Sequence, residues 1–318
     1  MFNYAINKIM KQITNNIMMI EPVLFNYNAE TAVNNYYQSD IKEMTSIQVQ
    51  EKALEEFKVF VDMLRSKSIN VFVFKDTYHP KTPDSIFPNN WISFHSNGEI
   101  YLYPMFAPNR RLERRGGIIS ELKKDFEVSE IHSLIHYENE TLFLEGTGSM
   151  ILDRENKICY AARSLRTDES ILVDFCRKLD YSPVLFNASQ DVNGERLPIY
   201  HTNVMMCIAK DYAIVCLDAI DNNIERSSVI THLKNNKKEI IEISELQVNR
   251  FAGNMLQVMG DKLYLVMSKS AFDSLNDDQI SSIENYNEIL SVNLDTIETC
   301  GGGSARCMMA EIFLPLRK

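Results

Sequence analysis

Positive charge is scarce in this sequence. Lysine and arginine total 33 against 43 aspartates and glutamates, so the 318-residue chain carries a net charge of −10. A nucleic-acid-binding protein needs a clustered basic surface that displaces counterions from the phosphates. The one basic cluster, in residues 110–115, is short and is interrupted by Leu112 and Glu113. The composition therefore argues against a nucleic-acid partner.

Cysteine motifs and long apolar runs are also missing. The six cysteines form no Cys-x-x-Cys pair and have no zinc-finger spacing with histidine, so we predict no metal site. The sequence has no convincing signal peptide and no apolar run near the length of a membrane span. We therefore expect a cytoplasmic protein without a membrane partner.

The first 16 residues differ from the rest of the chain. They carry one short apolar group among polar residues, and we interpret residues 1–16 as a loosely held leader, with Met10 as an alternative start. Residues 17–318 have the composition of a globular protein, and we expect them to form a single catalytic domain.

Glycine is infrequent, yet residues 301–303 are three consecutive glycines. Glycines permit a tight turn or the close approach of the backbone to a bound molecule. Cys307 follows, where small residues give way to an apolar run, so we expect its sulfur at the edge of a pocket as a candidate nucleophile. Arg306 beside it could favour the thiolate. Most free cysteines are simply buried apolar residues, and we interpret the other five in that way.

A pattern of an apolar run, a polar turn and a second apolar run occurs four times. The copies begin at Asn90, Gly148, Asn203 and Asn254, and each is typical of a β-hairpin. Helical patterns follow three of them, over residues 117–125, 170–180 and 223–234. Residues 305–314 supply a fifth first strand, and the strand, helix and strand predicted over residues 17–25, 46–66 and 70–74 complete that module.

The repeat predicts an α/β fold of five ββαβ modules around a pseudo-fivefold axis, which is an α/β propeller. A WD-type propeller is the alternative, but its modules are all-β and about 40–45 residues long. If five first strands point towards one axis, the residues at their starts converge. These residues are Asn90, the turn over residues 145–149, His201 to Asn203, Asn254 and Cys307.

Three of the converging groups suit chemistry at a carbon bonded to nitrogen. Such chemistry needs a nucleophile, a proton donor for the leaving amine and an acceptor, for which Cys307, His201 and Glu145 are the candidates. A histidine is more often structural than catalytic, but His201 opens an aligned repeat. Glu145 follows an apolar run, and a buried acid needs a partner.

Four motifs carry a family resemblance: FPNNW (residues 87–91), LEGTGSM (144–150), HTNVM (201–205) and GGGSARCM (301–308). Together they resemble the pentein superfamily, which includes arginine deiminases, dimethylarginine dimethylaminohydrolases, amidinotransferases and succinylarginine dihydrolase, and in particular its citrulline-utilisation hydrolases. The resemblance covers nearly the whole chain after the leader. It implies a nucleophile at Cys307, a general acid/base at His201, an acidic partner at Glu145, and no metal or organic cofactor.

Two departures from the family pattern concern the substrate. In arginine deiminases the positions that match Asn90 and Asn203 are aspartates around a cationic guanidinium. Carboxylates around a neutral ureido group would leave buried charge unpaired, whereas asparagine offers both an acceptor and a donor. The asparagines therefore favour citrulline, although succinylarginine dihydrolase accepts a guanidinium without the full aspartate set. Asparagines that only cap strands or turns are the structural alternative.

An amino-acid substrate also needs a cation for its α-carboxylate, preferably a bidentate one. Arg110 and Arg166 lie in segments that resemble those from which related deiminases recruit such arginines. Arginines on the protein surface are common, so a purely structural role for either remains the alternative.

The leading hypothesis is hydrolysis of L-citrulline to L-ornithine, carbon dioxide and ammonia, with this small molecule as the predicted partner. Cys307 attacks the ureido carbon, His201 transfers protons, and Glu145 stabilises the imidazolium and accepts a substrate N–H. Arginine deiminase, dimethylarginine dimethylaminohydrolase and succinylarginine dihydrolase activities are alternatives, as is a non-catalytic amino-acid-binding or interaction protein. The sequence leaves the oligomeric state open, a homo-oligomer included.

Overall fold

The structure, a computed structural model, describes residues 11–317. Its strands are short and are separated by helices and turns. In chain order the strands are β1 Asn16–Glu21, β2 Asn70–Lys75, β3 Ile92–Phe94, β4 Glu99–Leu102, β5 Glu130–Ser133, β6 Ile151–Asp153, β7 Ile158–Ala162, β8 Ser182–Phe186, β9 Ser189–Val192, β10 Glu195–Pro198, β11 Met206–Ile208, β12 Tyr212–Val215, β13 Glu239–Glu242, β14 Leu256–Met259, β15 Leu263–Ser268, β16 Glu288–Val292 and β17 Ala310–Glu311.

Most helices connect two strands of the same sheet along the chain. They are α1 Ala29–Ala32, α2 Ser46–Ser66, α3 Gly116–Asp125, α4 Gly146–Ser149, α5 Glu169–Leu179, α6 Asn223–Asn235, α7 Glu245–Val248, α8 Lys269–Ser274, α9 Asp277–Glu284 and α10 Asp295–Gly301. Within residues 11–317, four 3₁₀ turns are also present: Pro88–Asn90, Pro108–Glu113, Ile135–Glu140 and Thr202–Val204. None of the helices in residues 11–317 combines the length and the apolar character that crossing a membrane requires.

Five three-stranded sheets within the described residues share one plan. The orders are β17-β1-β2, β3-β4-β5, β6-β7-β8, β11-β12-β13 and β14-β15-β16. In each sheet the first and second strands are antiparallel, and the second and third are parallel. A parallel connection needs a long crossover, and here helices provide it. The predicted α/β fold of five ββαβ modules is confirmed.

The module that joins the two ends of the chain has the predicted composition. Strand β17 pairs antiparallel with β1, with Ala310 opposite Met18, and β1 pairs in parallel with β2. The first strand is much shorter than the predicted residues 305–314. Residues 305–308 instead form a turn, and this turn carries Cys307.

The first strands of the five modules begin at turns that hydrogen-bond to one another. Each turn forms a hydrogen bond with the turn of a neighbouring module, so the turns are linked in series. These contacts are Asn89 Nδ2 to Thr147 Oγ1 at 3.3 Å, Thr202 Oγ1 to Ser149 O at 2.6 Å, Asn254 Nδ2 to Asn203 O at 3.0 Å, and Arg306 N to Asn254 Oδ1 at 3.0 Å. The expected convergence of the strand starts is present.

Of the predicted leader, residues 1–16, the first ten residues lie outside the described part of the chain. Its described part packs on the domain. Gln12 is buried, its Nε2 donates to Leu152 O at 3.0 Å, and its Oε1 accepts from the backbone N–H of Arg154 at 2.7 Å. Thr14 donates to Ile312 O at 2.8 Å. The backbone N–H of Met259 in β14 donates to Thr14 O at 3.0 Å. Residues 11–16 therefore contact three of the sheets or their flanking turns.

Candidate active site

Cys307 lies in the turn before β17 and is 3 % exposed. Two carboxamides donate to its Sγ, from Asn203 Nδ2 at 3.4 Å and from Asn254 Nδ2 at 3.2 Å. Both amides therefore hold the sulfur in place from the side of the neighbouring modules. Arg306, which the sequence suggested as a charge acting on the sulfur, instead binds Glu311 at 2.6 Å.

Asn254 is a functional candidate to which the sequence assigned no role beyond its position at a strand start. Its Oδ1 accepts from the backbone N–H groups of Arg306 and Cys307, at 3.0 and 3.4 Å. Its Nδ2 donates both to the sulfur and to Asn203 O. One side chain therefore fixes the turn that carries Cys307 and contacts its sulfur. Its place at the start of the fourth repeat was the only signal.

His201 and Glu145 form a buried pair, with Nε2 of His201 2.8 Å from Oε2 of Glu145. Burial alone would raise the pKa of Glu145, but the charge of Arg166 and the hydrogen bond with His201 hold that pKa well below its usual range. Burial lowers the pKa of His201 to about 4, although Glu145 acts in the opposite direction. An ionised carboxylate can only accept, so His201 carries its proton on Nε2. Its Nδ1 is then a proton acceptor.

Glu145 lies behind His201 and not on the wall of the cavity. Its Oε1 accepts from the backbone N–H of Phe106 at 2.9 Å. Its Oε2 contacts both His201 and Arg166 Nη1, the latter at 3.4 Å. From this position Glu145 can orient the imidazole of His201. The geometry does not support the expected contact between Glu145 and a substrate N–H.

Gly148 provides the space in which Asn90 and His201 meet. A Cβ at this position would lie 2.4 Å from Asn90 Nδ2 and 2.8 Å from His201 Nδ1. Real Cβ atoms do not approach other atoms so closely, since the van der Waals repulsion would displace them. The absence of a side chain at Gly148 therefore allows the amide and the imidazole to lie side by side.

The two predicted arginines are buried and mostly engaged. Arg110 donates from Nε and Nη2 to Glu113, both at 2.9 Å, and from Nη1 to Asn90 Oδ1 at 2.7 Å. Arg166 donates to the side chain of Asn34, to a backbone carbonyl in α1 and to Glu145. A guanidinium has five N–H donors, and in both residues one N–H on Nη1 has no acceptor among residues 11–317. Neither therefore offers a free bidentate edge, but each can donate one hydrogen bond.

A narrow cavity connects these groups. Five of the seven predicted site residues line it: Cys307, His201, Asn90, Arg110 and Arg166. The other two, Asn203 and Glu145, contact Cys307 and His201 directly. The structure thus brings all seven predicted residues into one site.

Asp84, which lines the cavity, is a second functional candidate that the sequence did not indicate. It is buried, its Oδ2 accepts from Asn28 and Thr31 at 2.8 and 3.0 Å, and its Oδ1 has no hydrogen-bond partner among the described residues. Burial raises the pKa of Asp84, against the opposing charge of Arg110. An unpaired buried carboxylate oxygen suits a cationic group. Asp84 lies in a polar segment before the FPNNW motif, and no sequence pattern there marks it as a site residue.

A polar segment over residues 28–38 covers the cavity from the N-terminal module. Asn35 Nδ2 and Gln38 Nε2 donate to the carbonyl of Gly301, at 3.4 and 3.0 Å. Gly302 ends α10 with φ +59°, a left-handed cap that glycine adopts without strain. The consecutive glycines therefore both turn the chain and bring its carbonyls against the covering segment.

Comparison with known proteins gives the family. The family model described as N,N dimethylarginine dimethylhydrolase, eukaryotic, matches residues 21–314. The chain belongs to this family. It is therefore a member of the pentein superfamily of guanidine-modifying hydrolases, and the predicted resemblance is confirmed. No curated protein matches the chain in sequence.

Solved structures share the fold at low sequence identity. ArgZ in its apo form, an arginine dihydrolase from the ornithine–ammonia cycle in cyanobacteria, has a TM-score of 0.72 and 17% identity over 95% of this chain. The chain spans 41% of the length of ArgZ. The N-terminal domain of ArgZ bound to its substrate has a TM-score of 0.71 and 18% identity, covering 94% of this chain and 99% of that domain. DDAH from Pseudomonas aeruginosa, a cysteine mutant complexed with citrulline, has a TM-score of 0.64 and 14% identity over 94% of this chain and 99% of its own.

Proposed function

We propose that this protein hydrolyses L-citrulline to L-ornithine, carbon dioxide and ammonia through a covalent intermediate on Cys307. The proposal rests on two unpaired amide groups at the site. Asn90 Nδ2 and Asn203 Oδ1 are buried and have no partner among residues 11–317. A ureido group has an oxygen for the donor and N–H groups for the acceptor. A guanidinium has only donors, so it would leave the Asn90 NH₂ unpaired.

The chemistry begins with transfer of the Cys307 proton to Nδ1 of His201. The sulfur then bonds to the ureido carbon, and the π electrons of the C=O bond move to oxygen. When the C=O bond re-forms, a C–N bond breaks and the nitrogen leaves with the proton of His201. Water, deprotonated by His201, releases the acyl group from sulfur as a carbamate, which decomposes to carbon dioxide and an amine. Glu145 stabilises the imidazolium in both halves.

The amino-acid end of the substrate has complementary groups in the same cavity. The free Oδ1 of Asp84 can accept from the α-ammonium group. Arg110 and Arg166 can each donate one N–H to the α-carboxylate. These three contacts fix the amino acid and leave its side chain directed at the thiol, so a free amino acid suits the site better than a peptide.

A substrate panel tests the proposal. Citrulline, arginine, dimethylarginine and succinylarginine are assayed for release of ammonia and ornithine. We expect turnover of citrulline, and its loss in Cys307→Ser together with retained citrulline binding by calorimetry. Turnover of arginine without turnover of citrulline would reject the proposal. Unchanged citrulline turnover in Cys307→Ser would reject the covalent mechanism.

Hydrolysis of an amidine is the second candidate. The family model is that of a dimethylarginine hydrolase, and ArgZ is an arginine dihydrolase. Cys307, His201 and Glu145 would serve this chemistry equally well. The two functions therefore differ in the oxygen or nitrogen that the reacting carbon carries and in the protein groups that bind it. The same panel separates them.

A further inference from the structure

Arg110 and Glu113 form a fork-to-fork pair on the 3₁₀ turn Pro108–Glu113. Nε and Nη2 of Arg110 each lie 2.9 Å from one oxygen of Glu113, and both side chains are buried. Residues three apart on a 3₁₀ turn lie on the same face. Two parallel hydrogen bonds fix the plane of the guanidinium as well as its position. Together with the carbonyls of Phe87 and Asp84, which accept from Nη2 at 3.1 and 3.3 Å, Glu113 therefore fixes where Nη1 of Arg110 points.

That nitrogen fixes the orientation of the Asn90 carboxamide. Arg110 Nη1 lies 2.7 Å from the side chain of Asn90. A guanidinium has no acceptor, so the oxygen of Asn90 must face it and the NH₂ group must face away. Nδ2 of Asn90 has no acceptor among the described residues. With the opposite amide orientation, two donors would face each other.

The NH₂ group of Asn90 lies next to the proton-transfer group. Asn90 Nδ2 and His201 Nδ1 lie on the same side of Gly148, within 2.4 and 2.8 Å of the position that its Cβ would occupy. Asn90 and His201 line one cavity with Cys307. A donor in this place can bind an oxygen on the carbon that the sulfur attacks, including the oxyanion that forms during attack.

From these contacts we infer that Glu113 is a specificity-positioning residue. Through Arg110 it holds the NH₂ of Asn90 towards the reacting carbon, so that the site favours a ureido oxygen over a guanidinium nitrogen. The inference rests on the proposed function, since it assigns the preference for a ureido substrate to a residue outside the cavity wall. Glu113 itself contacts no substrate.

The surroundings of Glu113 are consistent with action through Arg110 alone. Both of its oxygens bind Arg110, and no other hydrogen bond to its side chain is present among residues 11–317. Burial raises the pKa of Glu113 to about 7 against the opposing charge of Arg110, and the charges of Asp84 and Glu145 add to the rise. Removal of the charge at Glu113 therefore loosens Arg110, which keeps its bonds from Nη2 to the carbonyls of Phe87 and Asp84 at 3.1 and 3.3 Å, without directly altering the cavity.

Glu113→Gln tests the inference with two measurements. The first is kcat and KM for citrulline. Loss of one oxyanion donor costs about 10²–10³ in kcat, and partial release of the amide should cost at least about tenfold, with little change in KM. The second is the ratio of the Kd values for arginine and citrulline, measured by calorimetry in Cys307→Ser with and without Glu113→Gln. We expect Glu113→Gln to lower this preference for citrulline at least threefold.

Glu138→Gln is the matched control. Glu138 also binds an arginine through both oxygens, Arg114 at 2.5 and 3.1 Å, but it lies outside the cavity. We expect this variant to leave both kcat and the Kd ratio unchanged. If Glu113→Gln does not fold, the double variant Arg110→Met with Glu113→Leu removes both charges and leaves neither uncompensated. It should lower the same ratio.

Two results would overturn the inference. One is an unchanged kcat for citrulline in a folded Glu113→Gln variant. The other is an equal loss of affinity for citrulline and arginine, which would show only a structural role. Absence of citrulline turnover in the unaltered protein would overturn the proposed function instead. The Kd ratio does not need turnover, so it tests the role of Glu113 in that case too.

Discussion

Exchange of Glu145 for glutamine perturbs the buried pair with the smallest change in shape. Three donors face the carboxylate: Nε2 of His201 and Nη1 of Arg166 meet one oxygen, and the backbone N–H of Phe106 meets the other. Glutamine supplies one oxygen and one NH₂ group. Whichever orientation it takes, at least one donor meets another donor.

The expected loss of kcat depends on the orientation that the glutamine carboxamide adopts. Two donors share Oε2, so the glutamine oxygen should stay there and its NH₂ should face Phe106. His201 then keeps its tautomer but loses the negative charge that stabilises its imidazolium form. Reversal of the tautomer in a comparable buried pair costs about 10⁴ in kcat, which is the upper limit here. We expect a loss of about 10²–10⁴ in kcat for Glu145→Gln, with little change in KM.

The same change should destabilise the protein. Arg166 and Glu145 are almost completely buried, with Nη1 and Oε2 3.4 Å apart. Removal of one partner of a buried ion pair costs about 3–5 kcal/mol, because the other charge stays buried without compensation. Arg166 keeps its contacts to Asn34 and to α1, so the lower end of that range is expected. Denaturant unfolding followed by circular dichroism measures this free energy.

Ammonia release from citrulline measures the catalytic part, and Glu138→Gln is again the control, for loss of a partly buried acid that pairs with an arginine. A folded Glu145→Gln variant with less than a tenfold loss of kcat would refute the reasoning. It would show that the charge of Glu145 does not act on His201 during turnover. A rise in KM without a fall in kcat would assign Glu145 to substrate binding instead.

Three further predictions concern the nucleophile, the glycine cap and the imidazole. Asn254→Ala removes a donor to the Cys307 sulfur, and because a hydrogen bond to a charged group contributes about 1.5–3 kcal/mol, alkylation of Cys307 by iodoacetamide should slow at least about tenfold. Asn287→Ala, a buried asparagine outside the site, should leave that rate unchanged. Gly302→Ala should lower Tm, since φ is +59° and the strain of such a conformation is about 1–3 kcal/mol; an equal Tm would contradict this. Neutral His201 is the proposed base and its pKa is lowered to about 4, so kcat/KM should fall below about pH 4; a fall centred on the ordinary value near 6.5 would count against this role.

The hairpins and long helices could be predicted because local patterns decide them. The predicted helix over residues 46–66 has those bounds in the structure. Thr45 and Gln48 form a capping box at its start, and the apolar residues face the core at helical spacing. The repeat then supplied the topology, since aligned hairpins imply equivalent modules. Local sequence and repeat length thus contained most of the information on the fold.

Other features depend on contacts that no local pattern specifies. The hairpin of β9 and β10 was missed, although Asn193 and Gly194 between them have the positive φ angles of a typical hairpin turn. Its strands are short and largely polar, so they lack the alternation that marks a strand. Asp84 and Asn254 were missed as site residues for a different reason. Their roles follow from the direction of a side chain across a cavity or a turn.

The motif around Glu145 illustrates how one segment supplies both chemistry and space. Glu145 directs the imidazole of His201, and three residues later Gly148 leaves room for that imidazole beside Asn90. The contacts of a Cβ at Gly148 would be with side-chain atoms, which can move, and not with the backbone. A larger residue there would therefore leave the fold intact while displacing the proposed base His201, the proposed ureido donor Asn90 or both. The glycine belongs to the motif because two functional groups occupy the volume of its missing side chain.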